Sequence, residues 1–244
     1  MTSLDEKMAR WPALKEAVGE DHNRLERDIA TWCEDYGERG GKIHCGRGCR
    51  NCCTLHVDVS LTEALLVSDA LSAEQAAAVA STVERMTTEL AGVDDFKTFL
   101  RHYRQRVGAC PFLGADGACT VYAVRPFACR ALLSTRPADW CAVDFAELTP
   151  LERTLFMDSL DRAVVAFPTH YVEATQEQAR VLETTAILAM RETFGVAVSG
   201  NLPYLVHLQR QHGLGEALAQ GEAAVRELLH RDGIDSPFLV HLHL

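Results

Sequence analysis

Cys45, Cys49, Cys52 and Cys53 fall within nine consecutive positions. Thiolates packed so closely along a chain select zinc, copper(I) or an iron–sulfur centre, because soft ligands suit soft metals. Magnesium and calcium want oxygen ligands, which this loop largely lacks. Gly46 and Gly48 let its backbone wrap tightly around an object in the middle. Cys110, Cys119 and Cys129 form a distal set able to complete the coordination. In extended backbone the adjacent Cys52 and Cys53 would face opposite ways. Either one of them is packing, or the centre holds more than one metal atom. More than four ordered cysteines exceed the need of one zinc ion, which favours an iron–sulfur cluster, [4Fe–4S], over zinc.

The sulfurs sit in basic sequence. Residues 42–57 carry three cations and no acid, and residues 97–136 carry seven cations and one acid, in a chain of net charge −10. Arg50, Arg125 and Arg130, with Arg47, could bind the cofactor by offsetting its charge or donating to the sulfurs. They could equally hold an anionic substrate. Cys33 lies on an apolar helix face and reads as core. Cys141, beside Trp140, is either a spare ligand or packing. His44 and His56 read as polar neighbours of the loop, and Phe112, Tyr122 and Phe127 as its apolar wall. Lys97, Arg101, Arg104 and Arg106 read as a solvated helix face. Glu227 and His230 have the spacing of a di-iron helix motif but lack the second copy that such bundles need. Nucleotide-binding glycine motifs and the Gly-x-Ser-x-Gly hydrolase turn are absent.

Two hundred and forty-four residues, 48% apolar and 24% charged, suit a globular chain with a sizeable core. No apolar run is long enough for a membrane-spanning helix, and the charged N-terminus lacks an apolar signal core. These features predict a cytoplasmic protein. There, a disulfide framework built from an odd number of cysteines is the poorer explanation. The acidic balance argues against nucleic-acid and anionic-membrane partners.

The elements that must position the cysteines read as mainly α with a small β-hairpin. Residues 4–36 form one or two amphipathic helices, and residues 55–59 alternate like a short strand. Capping boxes at Ser60/Glu63, Ser72/Gln75 and Thr149/Glu152 start helices to about residues 71, 90 and 166. A basic helix is expected over 94–107 and a hairpin over 110–122, turning at Asp116-Gly117. Another helical turn opens at Arg125-Pro126 with proline in its first position. Helices over 173–194, 202–211 and 215–230 follow, divided by Gly195–Gly200 and Gly213, and the tail from His241 alternates like an edge strand or frayed end. The expected organisation is N-terminal helices over 1–41, a cysteine-cluster metal-binding module over 42–145, and a helical C-terminal part over 146–244 packed against it.

Cys45-x3-Cys49-x2-Cys52-Cys53, Val59-Ser60-x2-Glu63-Ala64 and Cys110-Pro111-Phe112-Leu113 come in that order. Asp116-Gly117-x-Cys119-x-Val121-Tyr122-x2-Arg125-Pro126-x2-Cys129-Arg130 follows. Together they resemble the YkgJ-type cysteine-cluster family, described as zinc- or iron-chelating, whose cysteine set is similar to that of flagellin lysine N-methylases. The resemblance covers about residues 42–131. It implies metal binding at Cys45, Cys49, Cys52, Cys53, Cys110, Cys119 and Cys129. It does not carry over the methylase activity, which belongs to longer chains. The expectation is a metal-binding protein with an iron–sulfur cluster, as a redox or protein-modifying enzyme acting on a protein or peptide. The alternatives are a non-catalytic zinc module for protein interaction, and metal storage or delivery.

Overall fold

The computed structural model describes residues 3–234 and 236–244. In chain order, α1 (Leu4–Met8) and α2 (Trp11–Glu38) precede the cysteine loop. Then come β1 (Asp58–Ser60), α3 (Leu61–Ala70), α4 (Ala73–Glu89) and α5 (Phe96–His102). The short α6 (Phe127–Ala131) and α7 (Pro150–Asp158) lead to the long α8 (Glu173–Phe194). β2 (Ala197–Asn201), α9 (Leu202–His212), α10 (Leu214–Gln220), α11 (Glu222–Asp232) and β3 (Val240–His243) complete the fold. It is mainly α with one small antiparallel sheet, ordered β1-β2-β3. Among the described residues no helix is long and apolar enough to cross a membrane.

All three predicted capping boxes form. Ser60, Ser72 and Thr149 each accept from the backbone three residues on, and Glu63, Gln75 and Glu152 reach back. Their far ends differ from expectation more than their starts. The helix from Pro150 stops at Asp158, and the Ser159 hydroxyl closes onto the Phe156 carbonyl instead of continuing it. The helix over 215–230 is broken at Gly221 (φ 122°) into α10 and α11. The basic helix passes at Tyr103 into a π turn that runs to Val107. Pro126 is the N-cap of α6 rather than its first residue.

The sheet corrects a larger expectation. Residues 195–200, read as a break between helices, hold all but the last residue of the central strand β2, every residue of which is buried. Val59 pairs with Gly200 and Ser199 with His241, so the predicted tail strand is an edge of this sheet. Gly200 is needed there: a Cβ would lie 2.2 Å from the Leu239 carbonyl oxygen. The predicted hairpin over 110–122 shrinks to a single bridge, Leu113 to Cys119.

One hydrophobic core runs through both halves of the chain, from Trp11, Val59 and Leu61 through Phe99 and Phe112 to Met190, Tyr204 and Leu239. Asn201 ties the halves further. Its Oδ1 accepts the Tyr204 N–H that opens α9, and its Nδ2 donates to the Tyr103 hydroxyl on the π turn. A smaller core packs α2 and α8 around Phe127 and Ala131 of α6, which carries Cys129.

Glu183 on α8 sits in this packing, and burial first, then Glu63 and Asp58, raise its carboxyl to about 8. The folded chain therefore keeps a proton there that the unfolded chain has lost above pH 4.5. Stability drains away as pH rises from 4.5 to 8. Glu183→Gln is expected to raise stability by about 2–4 kcal/mol above pH 8 and by almost nothing below pH 4.5. Denaturant melts at the two pH values check it, and an equal effect at both refutes the buried proton.

Candidate metal centre

The first four cysteines are arranged by turns. The Cys49 N–H closes onto the Gly46 carbonyl at 3.0 Å, with Gly48 at φ 86°. The loop then meets the Asp116-Gly117 turn backbone to backbone. A Cβ on Gly117 (φ 77°) would stand 2.9 Å from the Gly48 oxygen, so only glycine permits this approach. The chain next winds into a 3₁₀ turn, Asn51–Thr54. Here the extended-backbone argument fails. Successive residues in a 3₁₀ turn are about 120° apart, not 180°, and the Cys52 and Cys53 thiols lie close enough to shift each other's titration.

The distal cysteines are pinned to this turn. The Cys110 N–H donates to the Cys53 carbonyl at 2.7 Å, and the Leu113–Cys119 bridge brings Cys119 alongside. Cys129 depends on the N-terminus of α6, where the Phe127 N–H donates to Glu63 Oε1 at 2.9 Å. Glu63 is 1% exposed, and its other oxygen accepts from Ser60 N and Oγ, so one carboxylate caps α3 and α6 together.

The electrostatics follow from this crowding. Cys52 holds its proton more tightly than a free thiol because of the neighbouring Cys53 sulfur, with burial adding to the effect. Cys53 is lowered by its Cys52 neighbour, while burial and the charges of Cys110, Cys129 and Cys119 oppose the shift. Burial pushes Cys110 and Cys129 each up to about 12, and Arg125 pulls Cys129 and Cys52 back toward the thiolate. Cys45 lies on the far side. Its sulfur accepts the Ser134 N–H at 3.1 Å. Partial burial raises it, that N–H lowers it, and Cys49, Cys52 and Cys141 raise it again. Two neighbourhoods thus meet at the Cys52–Cys53 pair, one with Cys45 and Cys49 and one with Cys110, Cys119 and Cys129.

The donor chemistry of this set suits zinc or iron. Among the described residues, no group of three or more His, Cys, Asp or Glu side chains converges at metal-binding spacing. Cys45, Cys52, Cys110 and Cys129, whose pKa values are raised, stand as neutral thiols with no mutual attraction that would close a cage around empty space. Metal binding at these thiols would release protons.

The other expected residues are placed as follows. Arg125 is the cation that acts on the sulfurs, and its guanidinium also lies 5.5 Å from the Tyr122 ring centre. Arg130 is buried and spends its donors elsewhere, on the carbonyls of Arg125 (2.5 Å) and Ala123 (2.9 Å) and on Glu26 of α2. It braces the backbone around Arg125. Arg50 is exposed, as is Arg47, whose guanidinium lies 3.6 Å from Asp116. Cys33 is half-buried on α2, where burial alone raises its thiol. His56 packs edge-on against Phe99 and Tyr103, its Nε2 3.5 Å from Asp58. Phe112 and Phe127 are buried in the two cores and Tyr122 is exposed.

Sequence reading left Cys141 open and missed its partner. Its Sγ lies 3.3 Å from His170 Nε2, both residues being buried. Burial, then Arg136, lowers His170 to about 4, so it is neutral at pH 7. No local spacing announces a contact between residues so far apart in the chain.

No curated protein and no solved structure matched the chain. Residues 44–143, which contain eight of its nine cysteines, match the CxxCxxCC family, described as "Putative zinc- or iron-chelating domain", the cysteine-cluster family these motifs resemble.

Proposed function

We propose that the cysteine module binds an iron–sulfur cluster, [4Fe–4S], through ligands drawn from Cys45, Cys49, Cys52, Cys53, Cys110, Cys119 and Cys129. The observation that carries this reading is the Cys52–Cys53 pair held in one 3₁₀ turn, flanked by further thiols on both sides. One zinc ion takes four thiolates, whereas the two neighbourhoods together hold seven. Arg125 supports the same reading, since an anionic cluster gains from a cation beside its ligands. Such a cluster supplies electron transfer, which suits a redox or protein-modifying enzyme with a protein or peptide substrate.

A second reading is favoured by the division of the sulfurs into two neighbourhoods. Two zinc ions would each take one, making the module a structural staple or a store of metal rather than a redox centre. Protein purified without oxygen separates the two. The cluster reading expects about four irons and four acid-labile sulfides per chain with broad absorbance near about 400 nm. One or two zinc ions with no sulfide would overturn it in favour of the staple.

A further inference from the structure

The basic stripe is solvated at Lys97, Arg101 and Arg106 and half-buried at Arg104. Arg106 turns away to Glu89, 3.7 Å from its carboxylate. Lys97, Arg101 and Arg104, at spacings of four and three, line a cleft of about 670 Å³ instead. Arg153 of α7 joins them in the lining, its guanidinium donating to the Ala146 carbonyl at 3.0 Å. Against these four cations the cleft holds one acid, Asp144, at 3.9 Å from Arg101. Lys97 has no ion-pair partner among the described residues. A concentration of uncompensated positive charge in a chain of net charge −10 costs stability, and an anionic ligand would relieve it.

Apart from His56 and Gln105, the remaining lining is apolar. Leu100 and Phe145 stand 40% and 37% exposed beside the cations. The cleft also abuts the cysteine module. Leu55 lines it two residues after Cys53, and Val143 two residues after Cys141. The Arg104 guanidinium donates to the Cys141 carbonyl. The π turn that carries Arg104 is an uncommon backbone form, frequent at functional sites.

We infer that this cleft binds a phosphorylated organic molecule of nucleotide size, its phosphates on Lys97, Arg101, Arg104 and Arg153 and its apolar body on Leu100 and Phe145. Guanidinium groups pair with phosphate oxygens in a bidentate fork, which favours phosphate over a lone carboxylate. The volume falls within the range of small-molecule sites. The inference does not depend on which metal the cysteines hold.

The test is calorimetric titration of the metal-bearing protein with ADP, adenosine and inorganic phosphate. ADP is expected to bind with a Kd of about 0.1 mM or tighter, at least about tenfold tighter than either fragment, and to weaken as salt is raised. Lys97→Ala combined with Arg101→Ala should weaken ADP at least about tenfold while metal content and thermal midpoint stay unchanged. Leu100→Ser should lose several-fold for ADP and nothing for phosphate. No ADP binding, adenosine binding as tightly as ADP, or a double variant that binds normally would each overturn the inference. A change in metal content would bear on the cysteine centre instead, so the two readings fail separately.

Discussion

Cys53→Ser is expected to strip most of the metal from the protein and to lower its thermal midpoint, whereas Cys33→Ser should change neither. Cys53 stands where the two groups of sulfurs meet. It neighbours the Cys52 thiol and feels Cys110, Cys129 and Cys119, while Cys33 on α2 is shifted by burial alone. Its backbone carbonyl also receives the Cys110 N–H. Serine preserves that bond, so the substitution isolates the sulfur. Free energies of structural metal binding in small domains reach about 10 kcal/mol and are available to folding. Loss of one shared ligand is therefore expected to weaken metal affinity by orders of magnitude and to be felt in stability. Metal analysis together with thermal melts of both variants decides it. Equal metal in the two proteins would refute the division between ligand and packing cysteines, and a chelator that lowers the midpoint of Cys33→Ser but not of Cys53→Ser would support it.

Legibility in the sequence followed the range of the interactions. Capping boxes are exchanges between residues three apart, and Ser60, Ser72 and Thr149 could be read in the sequence without knowledge of their surroundings. The loop of Cys45, Cys49, Cys52 and Cys53 is equally local, so its chemistry was apparent. What the spacing alone misjudged was the backbone between them. An assumed extended chain separated Cys52 from Cys53, and the 3₁₀ turn Asn51–Thr54 brings their thiols together. β2 was hidden because Gly195 before it and Gly200 within it read as a break. Gly200 is there to let the Leu239 carbonyl close in from a segment near the other end of the chain. The basic stripe was legible as a stripe, but its cleft needs Arg153 and Phe145, which the fold brings across from another segment.

Glu63 is the residue whose second role is least visible in the sequence, and its replacement has the largest expected effect outside the sulfurs. The capping box with Ser60 announces one function; the hydrogen bond from Phe127 N adds another, across 64 positions. Glu63→Ala would leave the Phe127 N–H and the Ser60 N–H buried without acceptors. Losing a cap costs about 1 kcal/mol and each buried, unsatisfied donor about 1–3 kcal/mol, so a loss of about 3 kcal/mol or more is expected. The loss should not be confined to stability. α6 is only five residues long and cannot hold its form unaided, and Cys129 rides on it. Metal content should therefore fall in Glu63→Ala although no sulfur has been touched. Thr149→Ala with Glu152→Ala, which removes an exposed capping box on α7, should cost about 1 kcal/mol and leave metal content intact. Metal retained in full by a destabilised but folded Glu63→Ala would show that Cys129 keeps its place without α6, and would remove Glu63 from the architecture of the centre.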